Sequence, residues 1–238
     1  MYAVDLRGYG DSSYRSPIQS ISDFSEDIKL WLDQLGIKTA NVVGWSNGGG
    51  VAMQLAADYP ERVEKVVLLA SMSTRGYPVY SADGHRLHTK EEIASSCGIE
   101  ILSHAQKSQN NIFIKTAMDK MLYENNQPEE IRYNNYVDSA LKQRNIIDVA
   151  YAANRFNIST IFNGVVNGSG GVCRIKAPVL VLWGKEDLIT TVEMTNEIIL
   201  DLEKNGVKVT YSFFSAGHVA LIDNPEAVQN DIFKFLKG

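Results

Sequence analysis

Ser46 stands in the run Val42-Val43-Gly44-Trp45-Ser46-Asn47-Gly48-Gly49-Gly50, where a short apolar strand meets the start of a helical pattern. A serine in a tight strand-to-helix turn has a strained backbone. Glycines two positions either side, Gly44 and Gly48, are expected because a Cβ at either would strike the neighbouring chain. The turn lifts the Ser46 hydroxyl clear of the sheet and aims the Asn47 amide at an oxygen that acquires negative charge. Both sit at a helix N-terminus, which favours anions. Gly44, Trp45, Ser46 and Gly48 thus read as a nucleophile elbow suited to acyl transfer. A bare Gly-x-Ser-x-Gly also occurs in turns that do no chemistry, so the reading depends on a base and a carboxylate elsewhere.

A serine hydroxyl is a weak nucleophile near neutral pH and needs an imidazole, which in turn needs a carboxylate to hold its tautomer. The chain has four histidines. His218 follows the strand-like run 207–214 in a Gly217-His218 turn and is the expected base. His85, His88 and His104 fall in a polar helical region and read as solvated surface residues. For the carboxylate, the apolar run Pro178 to Trp183 has the character of a buried strand, and Gly184-Lys185-Glu186-Asp187 follows it. Asp187 is chosen over its neighbour Glu186 because the shorter side chain suits this loop position.

Positioning these groups takes alternating strands and helices. Strand patterns cover Tyr2 to Leu6, Asn41 to Trp45, Val63 to Ala70, 178 to 183 and 207 to 214. Helical periodicity covers Ser20 to Leu35, Asn47 to Tyr59, Thr191 to Asn205 and a final helix capped by Asn224 with Pro225 at its first position. Such units pair in parallel through right-handed crossovers, which makes this an α/β chain. Core segments 1–73 and 175–238 flank a purely helical insertion, 74–174, with amphipathic stretches near 90–107, 112–123, 128–143 and 147–156. A Gly-rich tail over 163–171 is expected to be flexible. Met118, Met121, Leu122, Tyr123 and Phe156 read as the insertion's own core. The insertion would stand over the C-terminal ends of the strands, where open α/β sheets bind ligands, and so is expected to cap the site.

The chain resembles the α/β-hydrolase superfamily, in the branch of serine hydrolases that carries a helical cap. The resemblance rests on Asp5-Leu6-Arg7-Gly8-Tyr9-Gly10-Asp11-Ser12, the elbow Gly44-Trp45-Ser46-Asn47-Gly48, Tyr59-Pro60-Glu61-Arg62-Val63, Trp183-Gly184-Lys185-Glu186-Asp187, and Gly217-His218 with Asn224-Pro225-Glu226. It implies the triad order Ser46, Asp187, His218, a mostly parallel sheet flanked by helices, and the Asn47 amide as one oxyanion donor. A serine at the nucleophile position argues against the dehalogenases and epoxide hydrolases of that branch. Residues Ala70 to Pro78 are also similar to a stretch of intracellular short-chain polyhydroxyalkanoate depolymerases, which points to a short-chain hydroxyalkanoate ester. Family members begin with three further strands and a helix, so the resemblance implies an N-terminally truncated form of reduced activity, with a natural short form as the other reading. A lactonase, a thioesterase or a carbon–carbon bond hydrolase would use the same triad, and a non-catalytic binding protein could reuse the fold.

Composition agrees with an enzyme of small molecules. The 238 residues are 45% hydrophobic and 21% charged, ordinary for a globular domain. A net charge of −5 without a basic cluster leaves no footprint for nucleic acid. Nothing in the sequence is apolar for long enough to span a bilayer. The two cysteines, Cys97 and Cys173, lack metal spacing and read as free thiols of a reducing, cytoplasmic compartment. The expected partner is a small-molecule ester, and no metal or organic cofactor is implied.

Overall fold

Four parallel strands lie side by side in chain order in the computed structural model, which describes residues 1–123 and 125–238. They are β1 (Ala40–Trp45), β2 (Val63–Leu69), β3 (Val179–Gly184) and β4 (Val209–Phe214). Val66 to Leu69 of β2 and the whole of β3, VLVLWG, are buried on both faces because helices cover both sides of the sheet. In register, Val67 faces Leu180 and Leu69 faces Leu182, all four buried. Each such side chain stabilises the fold by roughly 1.5–3 kcal/mol.

On one face pack α1 (Ile21–Gln34), α2 (Asn47–Asp58) and α8 (Val192–Lys204), which bring Phe24, Leu55 and Ile198 into the main core. Beyond the single turn α9 (Ala220–Asp223), the other face is covered by α10 (Pro225–Lys237), whose Val228 is buried with Leu69, Leu180 and Leu182. Local chemistry sets the helix starts. Asp23 accepts the Ser20 N–H at 3.0 Å at the head of α1, and Thr191 Oγ1 accepts the Met194 N–H at 3.3 Å at the head of α8.

The N-terminal segment departs from expectation. Tyr2 to Leu6 is not a strand, and Tyr2 to Asp5 are exposed. A strand needs a neighbour to satisfy its backbone, and none of the described residues pairs with this segment. Its order comes instead from side chains. Asp5 Oδ2 accepts the Asp11 N–H at 3.0 Å, the Asp5 carbonyl accepts Ser12 Oγ at 2.6 Å, and Arg7 pairs with Asp27. β1 is therefore an edge of the described sheet, with Val43 54% and Trp45 40% exposed.

Between β2 and β3 run α3 (Lys90–Ala94), α4 (Cys97–Lys107), α5 (Asn111–Met121), α6 (Glu130–Leu141) and α7 (Ile146–Arg155). The amphipathic stretch expected near 90–107 forms two helices parted at Ser95 and Ser96, whose hydroxyls turn back onto the carbonyls of Glu91 (2.9 Å) and Ile93 (2.7 Å). Helices α4 to α6 enclose a small core of Ala105, Ile114, Tyr123, Tyr133, Val137 and Leu141, whereas α7 packs into the main core through Val149, Ala152 and Ala153. Phe156 and Tyr123 are buried, Met118 and Leu122 are half-buried, and Met121, expected inside, is 46% exposed.

The Gly-rich tail is stitched down where flexibility was expected. Asn163 Nδ2 donates to the carbonyls of Arg75 (2.9 Å) and Phe156 (3.1 Å), and Asn157 Nδ2 to those of Ile161 (2.8 Å) and Val166 (3.1 Å). Asn163, at the head of the tail, is thus tied to the chain at Arg75 and Phe156, and Asn157 holds the Val166 carbonyl, which no strand ladder satisfies. Among the described residues, no helix is long and apolar enough to cross a membrane. Nor do any three His, Cys, Asp or Glu side chains among them converge in a way that could hold a metal ion.

Candidate active site

Ser46 joins β1 to α2 with φ 55° and ψ −124°, a conformation that costs a non-glycine residue about 1–3 kcal/mol. Neighbouring backbone holds it there. The Ser46 N–H donates to the Leu69 carbonyl at 3.0 Å, and the Ser46 carbonyl accepts the N–H groups of Gly49 (3.0 Å) and Met72 (3.2 Å). Asn47 is the first residue of α2, and its N–H has no hydrogen-bonded partner among the described residues. That is the ordinary state of a first-turn donor, and it leaves the group available to an anion beside the serine.

The glycines around the turn divide the work differently from the expected symmetric pair. A Cβ on Gly44 would overlap the Gly48 carbonyl, as expected, but one on Gly48 would meet nothing within 4 Å. The close approaches belong to the next two residues, where Gly49 lies against Ser71 and Gly50 against Met72. Gly48→Ala is therefore expected to leave stability within about 0.5 kcal/mol or raise it by up to about 1 kcal/mol through helix propensity. Gly44→Ala should cost about 1–3 kcal/mol or more, because backbone must shift to admit the methyl. Urea unfolding of the two variants side by side measures the contrast.

Asp187 and His218 meet at the C-terminal ends of β3 and β4. Asp187 Oδ2 lies 2.9 Å and Oδ1 3.1 Å from His218 Nδ1, with both side chains almost fully buried. Three further donors converge on the same carboxylate: the N–H groups of Ile189 (2.7 Å) and Thr190 (2.9 Å) and the Thr190 hydroxyl (2.6 Å). Trp183 Nε1 donates to the Thr190 carbonyl at 2.8 Å and so anchors the turn that supplies them. The two loops are also zipped together by backbone. The Lys185 N–H reaches the Phe214 carbonyl at 2.9 Å and the Glu186 N–H the Ala216 carbonyl at 3.0 Å. A Cβ on Gly184 would overlap the carbonyls of Ala216 and Gly217, so that glycine is what lets the loops approach.

Burial by itself pushes the Asp187 carboxyl up. The hydrogen bond and charge of His218, with the Thr190 hydroxyl and the Ile189 N–H, outweigh it and bring the group below the ordinary carboxylate value. A carboxyl whose folded pKa lies below its unfolded one stabilises the fold while ionised, and that contribution is lost as pH falls through the folded value. The stability gap between the wild type and Asp187→Asn is thus expected to be full above about pH 5 and to shrink below about pH 4. Urea unfolding across that range checks the sign. A gap independent of pH would break the link to ionised Asp187.

Trp45 ties the serine to this pair. Its Nε1 donates to the His218 carbonyl at 3.0 Å, and its ring lies 5.1 Å from the imidazole, tilted by 44°. No hydrogen bond joins Ser46 Oγ to His218 in this conformation. Such bonds are often long without substrate and tighten in the complex. Of the other candidates, His85, His88 and His104 are exposed, with His85 near Asp83 at 3.5 Å. Glu186 bonds the Ser215 hydroxyl (2.9 Å) and Asn125 (3.1 Å) rather than His218.

Sequence reasoning missed the supporting role of Thr190, the need for Gly184 and the reach of Trp45. A threonine three residues after Asp187 was a legible turn signal. The other two depend on chain crossings that spacing does not encode.

The alpha/beta hydrolase fold profile matches residues 1–225. The chain is 26% identical to the 2-hydroxy-6-oxononadienedioate/2-hydroxy-6-oxononatrienedioate hydrolase of Paraburkholderia phymatum over 245 residues, covering 98% of this chain and 75% of that protein. A stretch of 68 residues is 44% identical to the dihydrolipoyllysine-residue acetyltransferase component of the acetoin cleaving system of Cupriavidus necator, spanning 29% of this chain and 18% of that relative. An esterase from Exiguobacterium antarcticum has the same fold, with a TM-score of 0.72 at 19% identity over 99% of this chain and 81% of that one. A profile match of that extent, over a parallel sheet with a strained serine between strand and helix, makes this chain a member of the alpha/beta hydrolase fold family.

Proposed function

We propose that this hydrolase cleaves a carboxylic ester by an acyl-enzyme mechanism, with Ser46 as nucleophile, His218 as base and Asp187 as its partner. The reading is carried by one observation: Ser46 sits in an elbow conformation beside a buried Asp187–His218 pair, bridged by Trp45. Ser46 Oγ attacks the ester carbonyl carbon as His218 Nε2 takes the hydroxyl proton, and the oxyanion is met by the Asn47 N–H. Collapse of the tetrahedral intermediate breaks the bond to the alcohol, which leaves with that proton. Water then adds to the acyl-enzyme with His218 again as base, and the acid departs as Ser46 regains its proton. Helices α3 to α7 act as the cap that shapes the acyl side, and a short-chain hydroxyalkanoate ester is the first substrate to test.

A second reading has its own support. The relative from Paraburkholderia phymatum, similar along nearly the whole chain, is by name a hydrolase of 2-hydroxy-6-oxo dienedioates, so carbon–carbon bond hydrolysis with the same triad is the alternative. A fluorophosphonate probe followed by a panel of p-nitrophenyl esters, 3-hydroxybutyrate oligomers, lactones, acyl-thioesters and 2-hydroxy-6-oxo dienoates separates the readings. Covalent labelling with preference for esters supports the first. Labelling with turnover of the dienoates alone supports the second, and absence of labelling overturns both.

A further inference from the structure

His218 is gripped from both sides by groups that belong to, or touch, the helical segment between β2 and β3. On its N-terminal side, the Gly217 N–H donates to Asp223 Oδ2 at 2.7 Å. On its C-terminal side, Val219 is buried in the small core formed by α4 to α6. The loop after α5 completes the contact. Asn125 Nδ2 reaches Glu186 Oε2 at 3.1 Å and Asp223 Oδ2 at 3.5 Å, and Asn126 Nδ2 reaches Asp223 Oδ1 at 3.3 Å. Glu186 in turn holds the Ser215 hydroxyl at 2.9 Å, so both carboxylates touched by the asparagines brace the loop that carries the imidazole.

We propose that Asp223 is a positioning residue through which the helical segment sets the placement of His218, with Asn125 and Asn126 as the latch. The inference rests on His218 being the base of the proposed reaction. Asp223 lies within one residue of His218 through the Gly217 N–H, and its carboxylate also accepts from Asn125 and Asn126 of the helical segment. A ligand that shifts the segment therefore acts on the imidazole without touching it. A ligand can move His218 this way only by binding the two placements of the segment unequally.

Loss of the Asp223 carboxylate should show in two coupled readouts. Asp223→Ala should lower kcat by about 10- to 100-fold, the scale of an ångström-sized misplacement, while KM for the same ester moves less than about threefold. Amide hydrogen exchange of the segment 215–219 should quicken by about tenfold or more, with the exchange of β3 unchanged. The double variant Asn125→Ala/Asn126→Ala, at two exposed positions, should show the same pattern more weakly, and Asp223→Glu should restore part of kcat. The double variant keeps the test alive if Asp223→Ala does not fold. Unchanged exchange over 215–219 in the double variant, or a fall in kcat matched by an equal rise in KM, overturns the proposal. If the wild type shows no fluorophosphonate labelling, the assigned reaction fails, and the exchange measurement still decides whether the latch holds the loop.

Discussion

Ser46→Ala is expected to abolish fluorophosphonate labelling and to lower kcat for a p-nitrophenyl ester by about 10⁴- to 10⁶-fold, with KM changed little. Two serines on the chain just after β2 are already engaged. Ser71 is turned back onto the Met72 carbonyl at 2.8 Å, and Ser73 is held by Glu197 at 2.5 Å. The remaining activity would come from the Asn47 N–H and from substrate binding, which outlast the nucleophile. The fold should be unharmed, because the serine's structural work is done by its backbone N–H and carbonyl. Far-ultraviolet circular dichroism of the variant, compared with labelling in the same preparation, distinguishes loss of chemistry from loss of structure. Labelling that persists in Ser46→Ala would place the nucleophile elsewhere.

Asp187→Asn is expected to reduce kcat by about 10⁴-fold, although it changes one atom for another of nearly equal size. Four donors now point at the carboxylate: His218 Nδ1, two backbone N–H groups and the Thr190 hydroxyl. An asparagine retains one oxygen, which the backbone donors of Ile189 and Thr190 claim. The amide NH₂ then faces His218 and donates to Nδ1. The proton moves to Nε2, the nitrogen that accepts from Ser46 in the proposed reaction, so that the proposed base would be disabled by its tautomer rather than removed. Steady-state kinetics of Asp187→Asn, His218→Ala and the double variant check the argument. The double variant should be no slower than His218→Ala, because groups acting as one unit are not additive. Losses that multiply would show that the two residues work separately.

Much of the architecture was legible because burial leaves a periodic mark. The continuous apolar runs of β2 and β3 and the 3.6-residue periodicity of α1, α8 and α10 match their observed spans within about two residues, as expected where periodicity is strong. Pro225 after Asn224 marked the start of α10 for the same local reason. Tyr2 to Leu6 shows where pattern alone fails. Its alternation is strand-like, but a strand exists only as one partner of a pair, and the partner is not written into the segment itself.

At the site, residue type and chain order were enough to nominate Ser46, Asn47, Asp187 and His218, because few residues can serve as nucleophile, base and carboxylate and each stands just past a strand. Contact was decided elsewhere. That Gly48 is open while Gly49 and Gly50 are crowded depends on where the chain from Ser71 to Met72 crosses α2. That Gly184 must lack a Cβ depends on the path of the loop carrying His218, and that Trp45 reaches that loop depends on β1 and β4 belonging to one sheet. Each is a meeting between segments distant along the chain. The sequence by itself determined which side chains have the chemistry and which local elements carry them. Only the tertiary structure decided which of them touch, because close packing selects one set of long-range contacts from the many that local patterning allows.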